Sequence, residues 1–390
     1  MRVAVNALSA KLGSGPTFFR NFLPALAAHT EHDYCVVLGR HQEDLIALLP
    51  DGVEVRLVSP ALRSFTARVV WEQAVLPFLL RRWEVDVLYS TGNVTTLATS
   101  VPRVVVVTTA NPFSGLATEW SPSQRLKLRA LLVASHLSAR RAARVIFISD
   151  NSRGLLWQRL GVPHELTAVV PYGCTPPTAG HLRSRQKPYL LTVSVLMPYK
   201  NIGHLLQAFD TLVRRTGFGG NLVVAGPPAS AGYYRKLLDI RSGLAHGRRI
   251  ELTGAIDQVE LEALYEHALA FVFPSLEETL GIPLQEAMGA GLPIAAADTS
   301  ISGTSPPCFN PCREVCEEAA IYFDPFDVED ITSALEQLVT DDGLRRQLMM
   351  NGRQQVKELS WERTAGDTLA VLEGAAALRR IPPSQRSGSR

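Results

Sequence analysis

Residues 171–188 read PYGCTPPTAGHLRSRQKP, and this stretch divides the chain. Its prolines, glycines and polar residues interrupt an otherwise regular alternation and mark a linker. Upstream, short apolar runs at 3–6, 34–38, 54–58, 85–90, 103–108, 144–149 and 167–170 predict strands. Helical patterns at 17–28, 65–82 and 121–142 lie between several of them. Downstream a second alternation begins, with strands predicted at 189–195, 222–225, 250–253, 269–273, 294–296 and 320–323. Its helices fit 202–215, 231–242, 258–267, 283–290, 328–339, 343–351 and 361–377. Runs such as VVVV at 104–107 are apolar on both faces, as parallel strands covered from both sides must be. Two rounds of βαβ alternation predict an α/β chain of two doubly wound, Rossmann-like domains facing across a cleft. In such sheets ligands bind beyond the carboxyl ends of the strands.

Composition narrows the class. The 390 residues suit two or three domains of about 150 residues each. With 46% hydrophobic and 19% charged residues, a disordered or fibrous chain is excluded. No apolar run reaches the roughly 18–20 residues of a membrane span. Residues 1–10, MRVAVNALSA, read as a buried strand rather than a secretory leader. Five cysteines do not suggest a disulfide framework, so the expectation is a reducing, cytoplasmic setting. The net charge of +2 hides an asymmetry: residues 1–180 carry 18 Lys and Arg against 12 Asp and Glu, while the remainder is mildly acidic. A basic half fits nucleic acid, anionic lipid or a phosphorylated substrate, and equally a solvated arginine-rich face.

The chemistry concentrates in 273–293, FPSLEETLGIPLQEAMGAGLP. A strand ends at Pro274, a polar loop follows, and Pro283 suits the first turn of a helix. Glu286 then lies near the helix start and Glu278 in the loop, eight residues earlier. Amides entering a helix N-terminus suit a diphosphate, and ionised carboxylates accept hydrogen bonds from hydroxyls. Lys200 follows a strand and a Pro turn and precedes the helix at 202–215. A cation at a helix N-terminus is unfavourable unless an anion is shared with it, which suggests a phosphate there, with an ordinary surface lysine as the other reading. Gly13 and Gly15 open the first helix of the chain, where backbone can approach a ligand, and the segment reads equally as a plain strand-to-helix turn. Cys308, Cys312 and Cys316 form a C-x3-C-x3-C run without the usual zinc pair spacing or a partner His, and read as structural or free thiols. Arg125, Lys127, Arg129, Arg140, Arg141 and Arg144 flank an apolar stretch at 131–137. This reads as a buried helix with solvated ends, with docking on anionic lipid as the other reading.

The segment from Glu278 to Pro293 resembles the E-x7-E signature of retaining GT-B glycosyltransferases, specifically glycosyltransferase family 4. PYGC at 171–174, PYKNIGHLLQAF at 198–209, VVAGP at 223–227 and YFDPFD at 322–327 extend the resemblance over nearly the whole chain. It implies a retaining, metal-independent hexosyltransferase using a UDP- or GDP-linked sugar as co-substrate, with no cofactor and no nucleic acid partner. Its acceptor would be a saccharide or lipid-linked glycan, met at the inner face of a membrane. Glu286 would bind ribose hydroxyls, Glu278 the transferred sugar, and Lys200 the diphosphate. The amides of Leu280, Gly281, Ile282 and Leu284 would line sugar and diphosphate, and the Gly13–Gly15 loop would lie near the phosphates. On the acceptor side, Ala110 and Asn111 stand where many members carry His-Asp, and Val195 and Tyr199 where many carry an Arg. These departures motivate a rival reading, a catalytically weak binding or scaffold subunit of a glycan-assembly complex. A sugar-nucleotide epimerase is disfavoured by the E-x7-E context. An NAD-dependent oxidoreductase is disfavoured because no G-x-G-x-x-G follows the first strand. The expected domains are 1–175 for the acceptor, a linker at 176–188, and 189–365 for the nucleotide sugar. A C-terminal helix at 366–380 would pack back on the first domain, before a disordered tail at 381–390.

Overall fold

The computed structural model describes all residues except 11–13, 60–63, 114–121, 177–186, 302, 304–308 and 381–390. The core of the expected linker and the expected tail therefore lie outside the described residues. Every predicted strand forms, with its ends within two residues of expectation. In the first unit these are β1 (Arg2–Asn6), β2 (Asp33–Gly39), β3 (Glu54–Val58), β4 (Val87–Ser90), β5 (Arg103–Val107), β6 (Arg144–Phe147) and β7 (Thr167–Val169). They pair in parallel in the order β3-β2-β1-β4-β5-β6-β7. In the second unit β8 (Tyr189–Val193), β9 (Asn221–Ala225), β10 (Ile250–Gly254), β11 (Ala270–Phe273), β12 (Ile294–Ala297) and β13 (Ala320–Phe323) form a parallel sheet ordered β10-β9-β8-β11-β12-β13. Both orders run outward in each direction from the unit's first strand. The reversal point therefore lies between β1 and β4 in one sheet and between β8 and β11 in the other, where open α/β sheets hold ligands.

Burial explains the sheets. Val104–Val107 are all buried, as are Ala270–Phe273 and Ile294–Ala297, because helices cover both faces. The helix Ile202–Thr216 shows how one side is sealed. Ile202, Leu205, Leu206, Phe209, Leu212 and Val213 recur at helical spacing and are buried against β8, β9 and the helix Val328–Thr340. It stops at Gly217, whose φ of 67° is open to glycine at no steric cost.

Two predicted helices differ in detail. The stretch 65–82 is two helices, Phe65–Ala74 and Leu76–Arg82, broken at Val75. Pro77 has no N–H to continue the ladder. The stretch 17–28 runs through a wide turn, Phe18–Phe22, before the helix Leu23–Ala27. The C-terminal helix, Trp361–Arg380, belongs in its entirety to the first unit, so residues 361–365 do not sit with the second domain. It packs on the helix Leu23–Ala27 and on β4 and β5. Its start is fixed by the Trp361 ring 5.6 Å from that of Tyr172 and by the Thr364 hydroxyl donating to the Pro171 carbonyl at 2.8 Å.

The helix Pro122–Arg141 corrects one expectation. It is not buried: Leu126, Val133 and Leu137 are 69%, 58% and 48% exposed. Arg125, Lys127, Arg129, Arg140 and Arg141 are exposed as well. Among its described residues, only Ser135, Ser138 and Ala139 near its end are buried. Among the described residues, no helix is long and apolar enough to cross a membrane.

Candidate active site

In the second unit, the loops after β8 and β11 leave the sheet side by side at its reversal point. After β8 the chain makes a one-turn helix, Pro198–Lys200, and Asn201 takes a left-handed φ of 57° before the helix Ile202–Thr216. The Asn201 side chain holds this turn down by donating to the Pro325 carbonyl at 2.7 Å. After β11, the Leu276 amide donates to the Tyr199 carbonyl at 2.8 Å, the Glu278 amide to Phe309 at 2.6 Å, and the Asn310 side chain to Ser275 at 2.9 Å. The loop is thereby clamped between two neighbouring segments.

That clamp brings together two residues 78 apart in sequence: the Lys200 ammonium donates to Glu278 Oε1. Both side chains are 13% exposed. The anion that makes a cation tolerable at this helix start is therefore Glu278. Burial alone would lower the Lys200 ammonium, but Glu278 outweighs it and holds the group above its usual range. The Tyr199 and Phe273 rings lie 5.0 and 5.9 Å from the ammonium. The neighbouring carboxylate, Glu277, is buried.

Glu286 sits in the helix Ile282–Gly289, partly buried, and accepts from the Tyr265 hydroxyl at 2.8 Å. Burial pushes its carboxyl up to about 7, the Tyr265 bond opposing and Glu262 adding to the rise. This carboxyl thus changes charge near neutrality. Gly281 precedes the helix with φ 89°. The Leu284 amide is engaged by the Gly281 carbonyl at 2.9 Å and its side chain is buried. Pro283 has no N–H, so the amides left at this helix start are those of Leu280, Gly281 and Ile282. Gly281→Ala would carry left-handed strain and place a Cβ 3.0 Å from Leu284 Cδ1. A fall of about 1–2 kcal/mol in unfolding free energy is expected in a denaturant titration.

The second cation has no replacement at Val195 or Tyr199. Arg313 lies on a nearby turn, but its guanidinium is already committed to Asp298 at 2.6 Å and stacks 4.2 Å from the Tyr322 ring. Cys312 and Cys316 are buried, and burial raises both thiols far above the thiolate range. Among the described residues no His, Cys, Asp or Glu group is placed to hold a metal ion, and Cys308 lies outside the described residues.

In the first unit, Gly13 lies outside the described residues. Gly15 is buried and lines a cavity of about 260 Å³ at the reversal point between β1 and β4. Ala110 is buried and Asn111 begins a one-turn helix, Asn111–Phe113; neither lines this cavity, whereas Thr108 and Thr109 do. Asn93 pins those two threonines, accepting from the Thr108 amide at 3.0 Å and donating to the Thr109 carbonyl at 2.8 Å. Asn93, Tyr265 and the cavity's Glu72 escape sequence reasoning. Glu72 stands four residues after Arg68, a spacing that reads as a solvated helix pair. Only its apolar neighbours Val69, Val70, Trp71 and Ala74 hint otherwise.

Two family descriptions match most of the chain between them. Glycosyl transferases group 1 matches residues 179–355, and Glycosyltransferase Family 4 matches residues 16–176. The chain is 27% identical over 268 residues to the O-antigen chain mannosyltransferase B of Escherichia coli, a match over 64% of this chain and 65% of that protein. It is 30% identical over 244 residues to the MMP alpha-(1->4)-mannosyltransferase of Mycolicibacterium hassiacum, over 61% of this chain and 56% of that one. The matched region thus spans less than two thirds of either relative. In structure it resembles the sucrose-phosphate synthase of Thermosynechococcus elongatus, with a TM-score of 0.74 at 18% identity, covering 97% of this chain and 100% of that one.

Proposed function

The chain belongs to the GT-B glycosyltransferases of group 1 and family 4, and we propose that it moves a hexosyl residue from a UDP- or GDP-linked sugar to a saccharide or lipid-linked acceptor in glycan assembly. Mannose is the first candidate for that sugar, because the curated relatives above are named as mannosyltransferases. The observation that carries the reading is the Lys200–Glu278 pair at the reversal point of the second sheet, with Glu286 on the next helix.

Each group has a role that its chemistry allows. Lys200 takes the donor diphosphate in place of Glu278 and stabilises the negative charge that grows on the leaving phosphate. Glu278, released from Lys200, accepts from hydroxyls of the transferred sugar. Glu286 accepts from the ribose, and the amides of Leu280, Gly281 and Ile282 lie along the sugar and phosphates. The acceptor hydroxyl loses its proton to the departing phosphate oxygen, so no side-chain base is needed at Ala110. The reading includes retention of anomeric configuration and no need for a divalent metal, since Lys200 and the helix amides carry the anion. Product anomers followed by NMR with GDP-mannose as donor, with and without EDTA, test this. An inverted linkage, or activity abolished by EDTA, would overturn it.

The acceptor reading extends to the membrane. The exposed Leu126, Val133 and Leu137 share a helix with five exposed basic residues, a combination suited to the boundary of an anionic bilayer. Co-sedimentation with phosphatidylglycerol vesicles is expected at low salt and should weaken near 0.15 M, where the screening length is about 8 Å. Replacing Arg140, Arg141 and Arg144 with Gln should reduce it and leave nucleotide affinity intact. No association at low salt would confine the protein to soluble acceptors.

A further inference from the structure

The clamp on the Glu278 loop is itself anchored, by residues that the roles above do not use. Asn310 engages both ends of its side-chain amide. Its Oδ1 accepts from the Cys312 amide at 3.0 Å, and its Nδ2 donates to the Ser275 carbonyl at 2.9 Å. The first bond closes a tight turn ahead of the short helix Cys312–Cys316. The amide group is planar, so holding its oxygen aims its nitrogen. The neighbouring Phe309 carbonyl takes the Glu278 amide at 2.6 Å. Ser275 and Glu278 are thus tied to one turn.

That turn is tied down in its own right. Arg313, on the short helix, donates from Nε and Nη2 to Asp298 Oδ2 at 2.7 and 2.6 Å. Asp298 follows β12 and is buried, and its Oδ1 accepts from the Ser300 amide and hydroxyl at 2.9 and 2.6 Å. Its own amide donates to the Phe323 carbonyl of β13 at 2.9 Å. Burial alone would raise the Asp298 carboxyl, but Ser300 and Arg313 outweigh it and hold the group below its usual range. Ionised, it makes the stronger bonds to a guanidinium. A line of contacts therefore runs from the sheet edge through Asp298, Arg313 and Asn310 to the backbone of the Glu278 loop.

That line matters when Lys200 changes partner. The Lys200 ammonium holds the Glu278 carboxylate directly. In the transfer reading Lys200 turns to the donor diphosphate, and this restraint goes. The backbone of the loop then places the carboxylate. A group held in place before its ligand arrives gives more affinity, because less ordering cost remains. We propose that Asn310, braced by Arg313 and Asp298, is a positioning residue for Glu278 and sets how much the sugar adds to nucleotide affinity. The inference rests on the glycosyl-transfer reading and adds to it the residues that aim its sugar contact.

The test is calorimetric titration of the full chain with GDP and GDP-mannose, and with UDP and UDP-glucose. The readout is the dissociation constant for the nucleotide divided by that for the nucleotide sugar, in the pair that the parent binds. Melting curves check that each variant folds. Glu278→Gln should lower this ratio about 10- to 100-fold. Asn310→Ala and Arg313→Met should each lower it about 3- to 10-fold, with affinity for the bare nucleotide within about twofold of the parent. Added to Glu278→Gln, Asn310→Ala should lower it no further, because it acts through that carboxylate. Arg313→Met leaves Asn310 in place and carries the test if Asn310→Ala does not fold. A loss in Glu278→Gln with none in the folded Asn310 or Arg313 variants would overturn the inference and leave the transfer reading standing. So would a further loss on top of Glu278→Gln, which would put Asn310 on the donor itself, or a failure of both variants to fold, which would make the two residues struts of the core. A ratio indifferent to Glu278→Gln, or a parent that binds neither pair, would sink the transfer reading and the inference with it.

Discussion

Lys200→Ala is expected to lower kcat about 10²- to 10³-fold, the scale on which a single group stabilising a developing oxyanion acts. The substitution has a second consequence, because it leaves Glu278 without the ammonium that balances it. Removing one partner of a buried ion pair costs about 3–5 kcal/mol, most of it from the stranded charge. Lys200→Ala should therefore lose stability as well as turnover. The double variant Lys200→Ala/Glu278→Ala isolates the stability effect, since it strands no charge, although it also removes the sugar-binding Glu278. Its melting temperature should return towards the parent while activity stays lost. If the double variant regained activity with its stability, Lys200 would be a structural partner of Glu278 and not the diphosphate grip. Lys200→Arg keeps the charge but not the compact ammonium, and should retain stability better than turnover.

Glu286→Ala should raise the dissociation constant for nucleotide about 10- to 100-fold, because hydrogen bonds to a charged group are worth about 1.5–3 kcal/mol. The raised carboxyl adds a pH signature. Since the group titrates near 7 in the folded chain, nucleotide affinity should fall as pH drops from 8 to 6, where the hydroxyl-accepting carboxylate becomes a carboxylic acid. Calorimetric titrations across that range should show the fall in the parent and not in Glu286→Gln. Stability should move the other way. Folding raises this carboxyl above its ordinary value, so the folded chain holds a proton between the ordinary carboxylate range and about pH 7 that the unfolded chain has lost. The group's cost to stability is therefore present above pH 7 and relieved below it. Glu286→Gln should stabilise the protein at pH 8 and change little near pH 5. A pH-independent nucleotide affinity in the parent would remove Glu286 from the ribose.

The strands were legible because each carries its own signal. VVVV at 104–107 is short, β-branched and apolar without alternation, a pattern that suits a strand covered on both faces. The break in 65–82 was in principle legible too, since Pro77 forbids the continuous helix that the apolar spacing suggests. At the candidate site, Glu278 and Glu286 announce themselves by spacing within one loop and helix, and Lys200 by its place before a helix start.

What the sequence determined is thus local: two rounds of strand and helix, the Pro turn before Lys200, and the loop that holds Glu278 and Glu286. What the tertiary structure decided is which distant groups share an environment. Lys200 meets Glu278 because β8 and β11 are neighbours at the reversal point of the sheet, and adjacency of strands far apart in sequence is fixed by packing rather than by any short pattern. Tyr265 comes to Glu286 in the same way, and with burial it sets where that carboxyl titrates. Two helical stretches make the point from opposite sides. Arg68 and Glu72 read as a solvated pair yet lie in a cavity wall, while the apolar stretch after Arg125 reads as buried yet faces outward. Helical periodicity says which residues share a face. Whether that face meets core or water depends on which neighbouring element covers it, and that is a property of the assembled sheet and its layers.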